Sequence, residues 1–180
     1  LRHGIELALT DIPFDDDKTY AMISKGLVGG LFQLETSPGM RRVIIQLQPD
    51  KFEDFIPIPA LYRPGPLDSG MMDSYIRRKI GLEAISYLHP LLEGALSETY
   101  GVCIYQEQVM KIAQTLAGFS LSQAYTLRWA IGKRKKTLMS SLKKDFIDGC
   151  TKNNVKEYQA ESIFKQVQTF AGYGFNKSHA

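Results

Sequence analysis

Residues 109–132 read VMKIAQTLAGFSLSQAYTLRWAIG, and their pattern decides the fold class. Val109, Ile112, Ala113 and Leu116 recur at i, i+3, i+4 and i+7, the spacing of one apolar face on an α-helix. Gly118 stops that helix, because glycine adopts at no steric cost the left-handed conformation that commonly ends one. Ser120 and Gln123 then form a capping box, in which each side chain takes up a free backbone N–H of the next helix's first turn. On that second helix Leu121, Ala124, Leu127 and Ile131 form the stripe expected to be buried. Arg128 lies beside the stripe, and Gly132 ends the helix.

The same logic extends outward. Leu138, Met139, Leu142 and Phe146 mark a further helix, and Ala160, Ile163, Phe164, Val167 and Phe170 mark the last. Upstream, Asp15–Asp17 open a short helix that Gly26 ends. Ser37 and Pro38 open another, with Met40, Val43, Ile44 and Leu47 as its apolar face and Pro49 closing it. A helix is expected over 68–80, whose basic end Arg77–Lys79 suits the helix dipole, and a weaker one over 89–101. VGGLFQLE (28–35) and GVCIY (101–105) are expected as short strands. IPIPALYRPGP (56–66) holds four prolines, which exclude a helix on the reading that each removes a donor and restricts its predecessor; a packed rigid loop is expected. The fold class is mainly α with minor β.

The 180 residues suit one domain, and 44% hydrophobic with 23% charged residues is the balance of a folded protein. The net charge is only +3, but it is unevenly spread. Residues 1–17 hold five acids against Arg2, whereas 128–144 hold seven cations and no acid, a distribution that suits a polyanion-binding face. Cys103 and Cys150 have no metal-like spacing, which fits a reducing compartment without disulfides. No apolar run approaches a membrane span. The first residue is not Met and the last residues, NKSHA, show no tail, so both ends are expected to be cuts within a longer chain.

Chemistry-bearing residues are few. Asp15, Asp16 and Asp17 form the one carboxylate cluster, but three consecutive residues at a helix start diverge, and helix capping accounts for them. Gln106–Glu107–Gln108 either puts one carboxylate in a cleft or forms a solvated helix face. AGYGFNKSHA (171–180) is aromatic, polar and basic at once, which suits a nucleotide or a strand of nucleic acid; an ordinary exposed loop is the plainer alternative. After the 120–132 helix come Lys133, Arg134, Lys135 and Lys136, read either as a phosphate-binding field or as a solvated basic turn. The run is no P-loop, whose glycine-rich loop precedes its helix.

GLFQLETSPGMRRVI, ALYRPGPLDSGM, TYGVCIYQEQVMKIAQTLAGFSL and FAGYGFNKSHA, in this order, resemble the alpha subunits of bacterial DNA polymerase III, the C family of replicative polymerases. The resemblance runs from about residue 11 to the end. It implies that 1–180 is part of a helical fingers domain, with 1–10 the tail of the connection from the palm, and that palm, thumb, PHP and clamp-binding regions lie elsewhere. The family pattern near ADxLRRAxGKK matches Ala124, Leu127, Arg128, Ala130, Gly132 and Lys133, while Tyr125 stands at the acid and Trp129 at the second arginine. By that resemblance Arg128, Lys133, Arg63, Tyr173, Asn176, Lys177, Ser178 and His179 are expected to bind the incoming deoxynucleoside triphosphate, and Arg134, Lys135 and Lys136 to contact DNA. The same resemblance implies Mg2+ held by palm aspartates upstream, so that no catalytic or metal-binding residue is expected in this segment and it is expected to be inactive alone. The expected partners are primer–template DNA, the sliding clamp and other subunits of the holoenzyme, in the cytoplasm. A nucleic-acid-binding module without catalysis and a replisome-assembly module are the two rival readings.

Overall fold

The computed structural model describes residues 4, 8–133, 135–171 and 173–179, the side chains of Leu9, Lys136 and Ala171 aside. The chain forms two compact units, Leu1–Ile58 and Pro59–Ala180.

In the first unit α1 (Asp17–Ser24) packs on α2 (Pro38–Leu47). Asp16 caps α1 by accepting from the Lys18 amide, and its carboxyl is held below the ordinary value by the Thr19 hydroxyl and then by that amide. Ser37 caps α2 through the Met40 amide, with Pro38 in the first turn, where no donor is needed. Tyr20 and Ile23 meet the buried face of Met40, Val43, Ile44 and Leu47. The expected strand at 28–35 is instead a run of turns. Gly30 and Gln33 have positive φ, which curls the chain, and the amides of Leu31 and Leu34 bond locally to Val28 and Leu31.

The proline-rich segment departs from its expectation too. It contains α3 (Ile58–Leu61) and α4 (Pro64–Asp68). Both helices are so short that Pro59, Pro64 and Pro66 fall within first turns, whose N–H groups have no intrahelical partner to lose.

The second unit continues with α5 (Met71–Lys79) and the short α6 (Glu93–Leu96), the latter flanked by 3-10 turns at Pro90–Leu92 and Ser97–Thr99. Four helices follow: α7 (Gln106–Ala117), α8 (Leu121–Gly132), α9 (Lys136–Lys152) and α10 (Glu157–Ala171). Gly118 takes the left-handed conformation at the end of α7, and Ser120 and Gln123 close the capping box of α8. The apolar faces of the four helices form one core, with Phe146 of α9 between Phe119 and Phe164 at 6.1 and 5.4 Å. Gly149 lets α9 cross the end of α7: a Cβ there would stand 2.2 Å from the Ala117 carbonyl oxygen. Asn153 Nδ2 donates to the Leu116 carbonyl at 2.9 Å and secures the same crossing.

The minor β component reduces, among the described residues, to one parallel bridge between Tyr105 and Phe175. The 101–105 segment is extended but unpaired along most of its length, because the Gln108 side chain serves in place of a partner strand. Gln108 Oε1 accepts from the amides of Ile104 and Tyr105 at 2.8 and 2.9 Å, while Nε2 donates to the Ala95 carbonyl and the Thr99 hydroxyl. Leu121, expected in the buried stripe of α8, is 64% exposed; Ala124, Leu127, Ala130 and Ile131 form that stripe. No described helix is long and apolar enough to cross a membrane.

Candidate functional site

The site grows from the start of α7. Three residues there, Gln106, Glu107 and Gln108, point to three different tasks. Gln108 is 4% exposed and holds the loop before it. Gln106 is half-buried and faces two ways: its backbone N–H donates to the Phe175 carbonyl at 2.8 Å and its Nε2 to the Gly174 carbonyl at 3.0 Å. Its remaining acceptor, Oε1, receives Nη1 of Arg128 at 2.6 Å. Glu107 accepts from the Lys177 amide at 3.2 Å. The solvated-face reading of 106–108 therefore fails for the two glutamines, and the one carboxylate braces the closing turn.

Arg128 arrives from α8. Its guanidinium lies over the Tyr125 ring, 4.6 Å from the centroid, and its Nε is the one buried side-chain polar atom without a hydrogen-bond partner among the described residues. Its bonded partner is a neutral amide, and among the described residues no carboxylate forms an ion pair with it. A guanidinium carries five N–H donors in a planar fork, and one bond plus one ring leaves most of that fork for a carboxylate or phosphate guest. Tyr125, at the position where an acid is expected, thus supports the guanidinium through its π face without neutralising it.

Arg63 approaches the same turn from the N-terminal side of α4. Its Nε donates to the Ala60 carbonyl at 2.8 Å, its Nη2 to the Tyr173 carbonyl, and its Cζ stands 5.0 Å from the Phe175 centroid. Burial lowers its pKa from the ordinary arginine value. Gly65 makes this approach possible: a Cβ there would lie 2.1 Å from the Tyr173 ring. Arg63 is accordingly committed to two carbonyls and a ring.

Lys177 is paired with Glu98 at 2.6 Å, and its Nζ stands 5.6 Å from the Tyr105 ring centroid. Burial, then the charges of Glu98 and Glu107, raise the pKa of the Tyr105 phenol. Asn176 Oδ1 accepts from the Ser178 amide and the Asn176 carbonyl from the His179 amide, which builds the 3-10 turn Lys177–His179. The His179 ring stands 5.6 Å from that of Phe175.

One contact network therefore joins Arg63, Arg128 and the 173–179 turn through Gln106 and Phe175. Lys133 and Lys135 stand apart from it. Both are exposed just past the last turn of α8, where the Lys133 amide bonds the Trp129 carbonyl at 2.9 Å, and no side-chain bond among the described residues ties either to the turn. Arg134 lies outside the described residues, as does the side chain of Lys136. Sequence reasoning missed Gln106, Glu98 and the ring of Tyr125. No local pattern marks Gln106 or Glu98; the capping-box spacing at the start of α7, a glutamine three residues after a tyrosine cap, belongs to Gln108.

Magnesium is the ion the family resemblance implies. Among the described residues no group of three or more His, Cys, Asp and Glu side chains could hold a metal ion. The residues present do not fit it, and no step through a metal is assigned to them. Cys103 and Cys150 are buried free thiols, each pushed up to about 12 by burial.

A family model for the bacterial DNA polymerase III alpha subunit finger domain matches residues 1–154. The chain is 47% identical over 179 residues to the DNA polymerase III subunit alpha of Aquifex aeolicus, covering 99% of this chain and 15% of that protein. It is 49% identical over 179 residues to that of Caulobacter vibrioides, with 99% and 15% covered. For Pseudomonas aeruginosa the identity is 48% over 185 residues, with 99% and 16% covered. The chain spans about 15% of the length of these relatives.

Proposed function

This chain belongs to the finger-domain family of bacterial DNA polymerase III alpha subunits, and on that premise we propose that its Pro59–Ala180 unit grips the triphosphate of an incoming deoxynucleotide in a replicative polymerase. The observation that carries this reading is Arg128. It is a half-buried guanidinium, propped by a ring and a neutral amide, with a buried Nε that has no partner and no acid paired with it among the described residues. Leaving such a donor unpaired costs about 1–3 kcal/mol, and an anionic guest that engages the rest of the fork offsets that cost. Gln106 fixes the direction of the guanidinium and couples it to the 173–179 turn, so that the turn and the cation present themselves together.

Arg128, Tyr173 and the backbone of the turn line the anion's surroundings. Arg63 and Lys177, already engaged by protein groups, serve to hold the turn. Lys133, Lys135 and the neighbouring cations supply long-range attraction for DNA phosphates and triphosphate alike. Primer extension, Mg2+ binding by aspartates elsewhere, and assembly with a sliding clamp and other holoenzyme subunits belong to the whole protein in this reading, so the 180-residue chain alone does not extend primers.

The test is steady-state primer extension by the intact protein with Arg128→Ala. A loss of about 30- to 100-fold in kcat/KM for deoxynucleotides is expected, equivalent to about 2–3 kcal/mol for one charge-assisted contact. Unchanged nucleotide kinetics would remove the assignment.

A further inference from the structure

The start of α4 meets the closing turn through Arg63 and through Gly65, a residue the helix itself does not favour. Gly65 is the second residue of α4. Its φ is not positive, so the backbone does not require glycine, and glycine is a poor helix former. Pro66 follows it, and a Cβ before proline crowds the helical conformation, which is one reason for glycine here. The surroundings supply another. A Cβ on Gly65 would stand 2.1, 2.2 and 2.9 Å from Cε1, Cδ1 and Cγ of Tyr173, so an edge of that ring fills the space a side chain would take. Gly94 and Gly132 also lie in helices, yet a Cβ on either would meet nothing within 4 Å.

The same end of α4 holds the backbone and the next ring of the turn. Arg63 donates from Nη2 to the Tyr173 carbonyl, and its Cζ stands 5.0 Å from the Phe175 centroid. Its Nε bond to the Ala60 carbonyl ties the guanidinium to α3, which makes it a strut. The His179 ring continues the column at 5.6 Å from Phe175. Tyr173 is still 43% exposed, so the seat leaves much of the residue open. A ring held by its edge, its carbonyl and its neighbour two residues on is fixed in direction as well as in place.

We propose that Arg63 and Gly65 form a positioning shelf for nucleotide addition, which sets the Tyr173 ring and the 173–179 turn where they meet the incoming nucleotide together with Arg128. Neither shelf residue touches the nucleotide. The shelf rests on the nucleotide grip proposed above and adds a control on it from α4. A displacement of about 1 Å far from the chemistry can cost on the order of 100-fold in rate, so a methyl group at position 65 acts on the reaction through the ring.

Single-turnover incorporation of one deoxynucleotide by the intact protein with Gly65→Ala tests the shelf. The maximum rate is expected to fall about 10- to 100-fold, with apparent nucleotide affinity changed less than about threefold. In a Tyr173→Ser background, which lacks the ring, the same methyl group should change the rate less than about twofold. An equal loss with and without the ring would place the effect in the pre-proline backbone and overturn the proposal, as would no loss in either background. Fluorine NMR of the intact protein with fluorotyrosine in place of Tyr173 reads the seat apart from activity. Gly65→Ala is expected to shift that resonance, and an unshifted line overturns the proposal. Where Gly65→Ala lowers the melting temperature too far, Arg63→Met carries the test with Gly65 kept: a fall in the same rate is expected, and an unchanged rate overturns the proposal. Arg128→Ala with unchanged nucleotide kinetics, beside a Gly65→Ala loss that vanishes with the ring, would remove the phosphate grip and leave the shelf standing.

Discussion

Gln106 and Gln108 stand two residues apart at the start of α7, and they end in opposite conditions. Gln108 is buried with four hydrogen bonds, all to the chain around it. Gln106 is half-buried, and its side-chain acceptor serves Arg128, whose Nε is left without a partner. A polar network that closes on itself rigidifies a fold, whereas one that ends in an unsatisfied charged donor is poised for a guest. The neighbourhood of Gln108 is frame, and the neighbourhood of Gln106 is the proposed site.

The largest expected effect comes from breaking the frame. Gln108→Leu orphans the amides of Ile104 and Tyr105 inside the core, at about 1–3 kcal/mol each. A loss of about 3–4 kcal/mol is expected in denaturant unfolding, and a loss under about 1 kcal/mol would mean that the loop satisfies itself some other way. Gln106→Met should do the reverse. Nucleotide affinity of the intact protein is expected to fall about tenfold, with stability little changed, because the lost bonds lie at a half-exposed edge. A large stability loss without a change in affinity would make Gln106 part of the frame.

Ser120→Ala removes the hydroxyl that caps α8, the helix carrying Arg128. About 1 kcal/mol of stability is expected to go, measured by thermal unfolding, with nucleotide affinity nearly unchanged while the helix persists. The smallest effect concerns the thiols. Burial raises Cys103 and Cys150 from 9.0 to about 12. A folded pKa raised above the unfolded one gives stability that is complete below pH 9 and is lost as pH rises toward 12. Thiolate absorbance should therefore appear near pH 9 in the denatured chain and only toward 12 in the folded one; its appearance near 9 in folded protein would contradict the burial.

The frame was legible because it obeys periodic rules. Gly118, the Ser120–Gln123 box and the apolar faces of α7, α9 and α10 are where the pattern puts them. The failures are equally specific. Prolines at 59, 64 and 66 exclude long helices and not helices of one turn, and 28–35 has strand-forming residues but positive φ at Gly30 and Gln33. Leu121 was misplaced because α8 is apolar on two sides, so periodicity cannot choose the buried one. Of the site, Arg128 and the closing turn were legible by resemblance. Their link through Gln106 was not, since a contact between residues 22 positions apart leaves no local pattern. Nor did the sequence tell how each cation is held: Lys177 and Arg63 have the same residue-type signal as Arg128, but they are held by Glu98 and by the Tyr173 carbonyl, and Arg128 by the neutral Gln106 side chain.

The central claim is that Gln106 acts through Arg128, holding one guanidinium toward an anionic guest. A double-mutant cycle with Arg128→Ala and Gln106→Met, read as deoxynucleotide affinity of the intact protein, tests it most directly. The expected result is strong non-additivity, with Gln106→Met nearly silent once Arg128 is gone. Full additivity of the two losses would contradict the account.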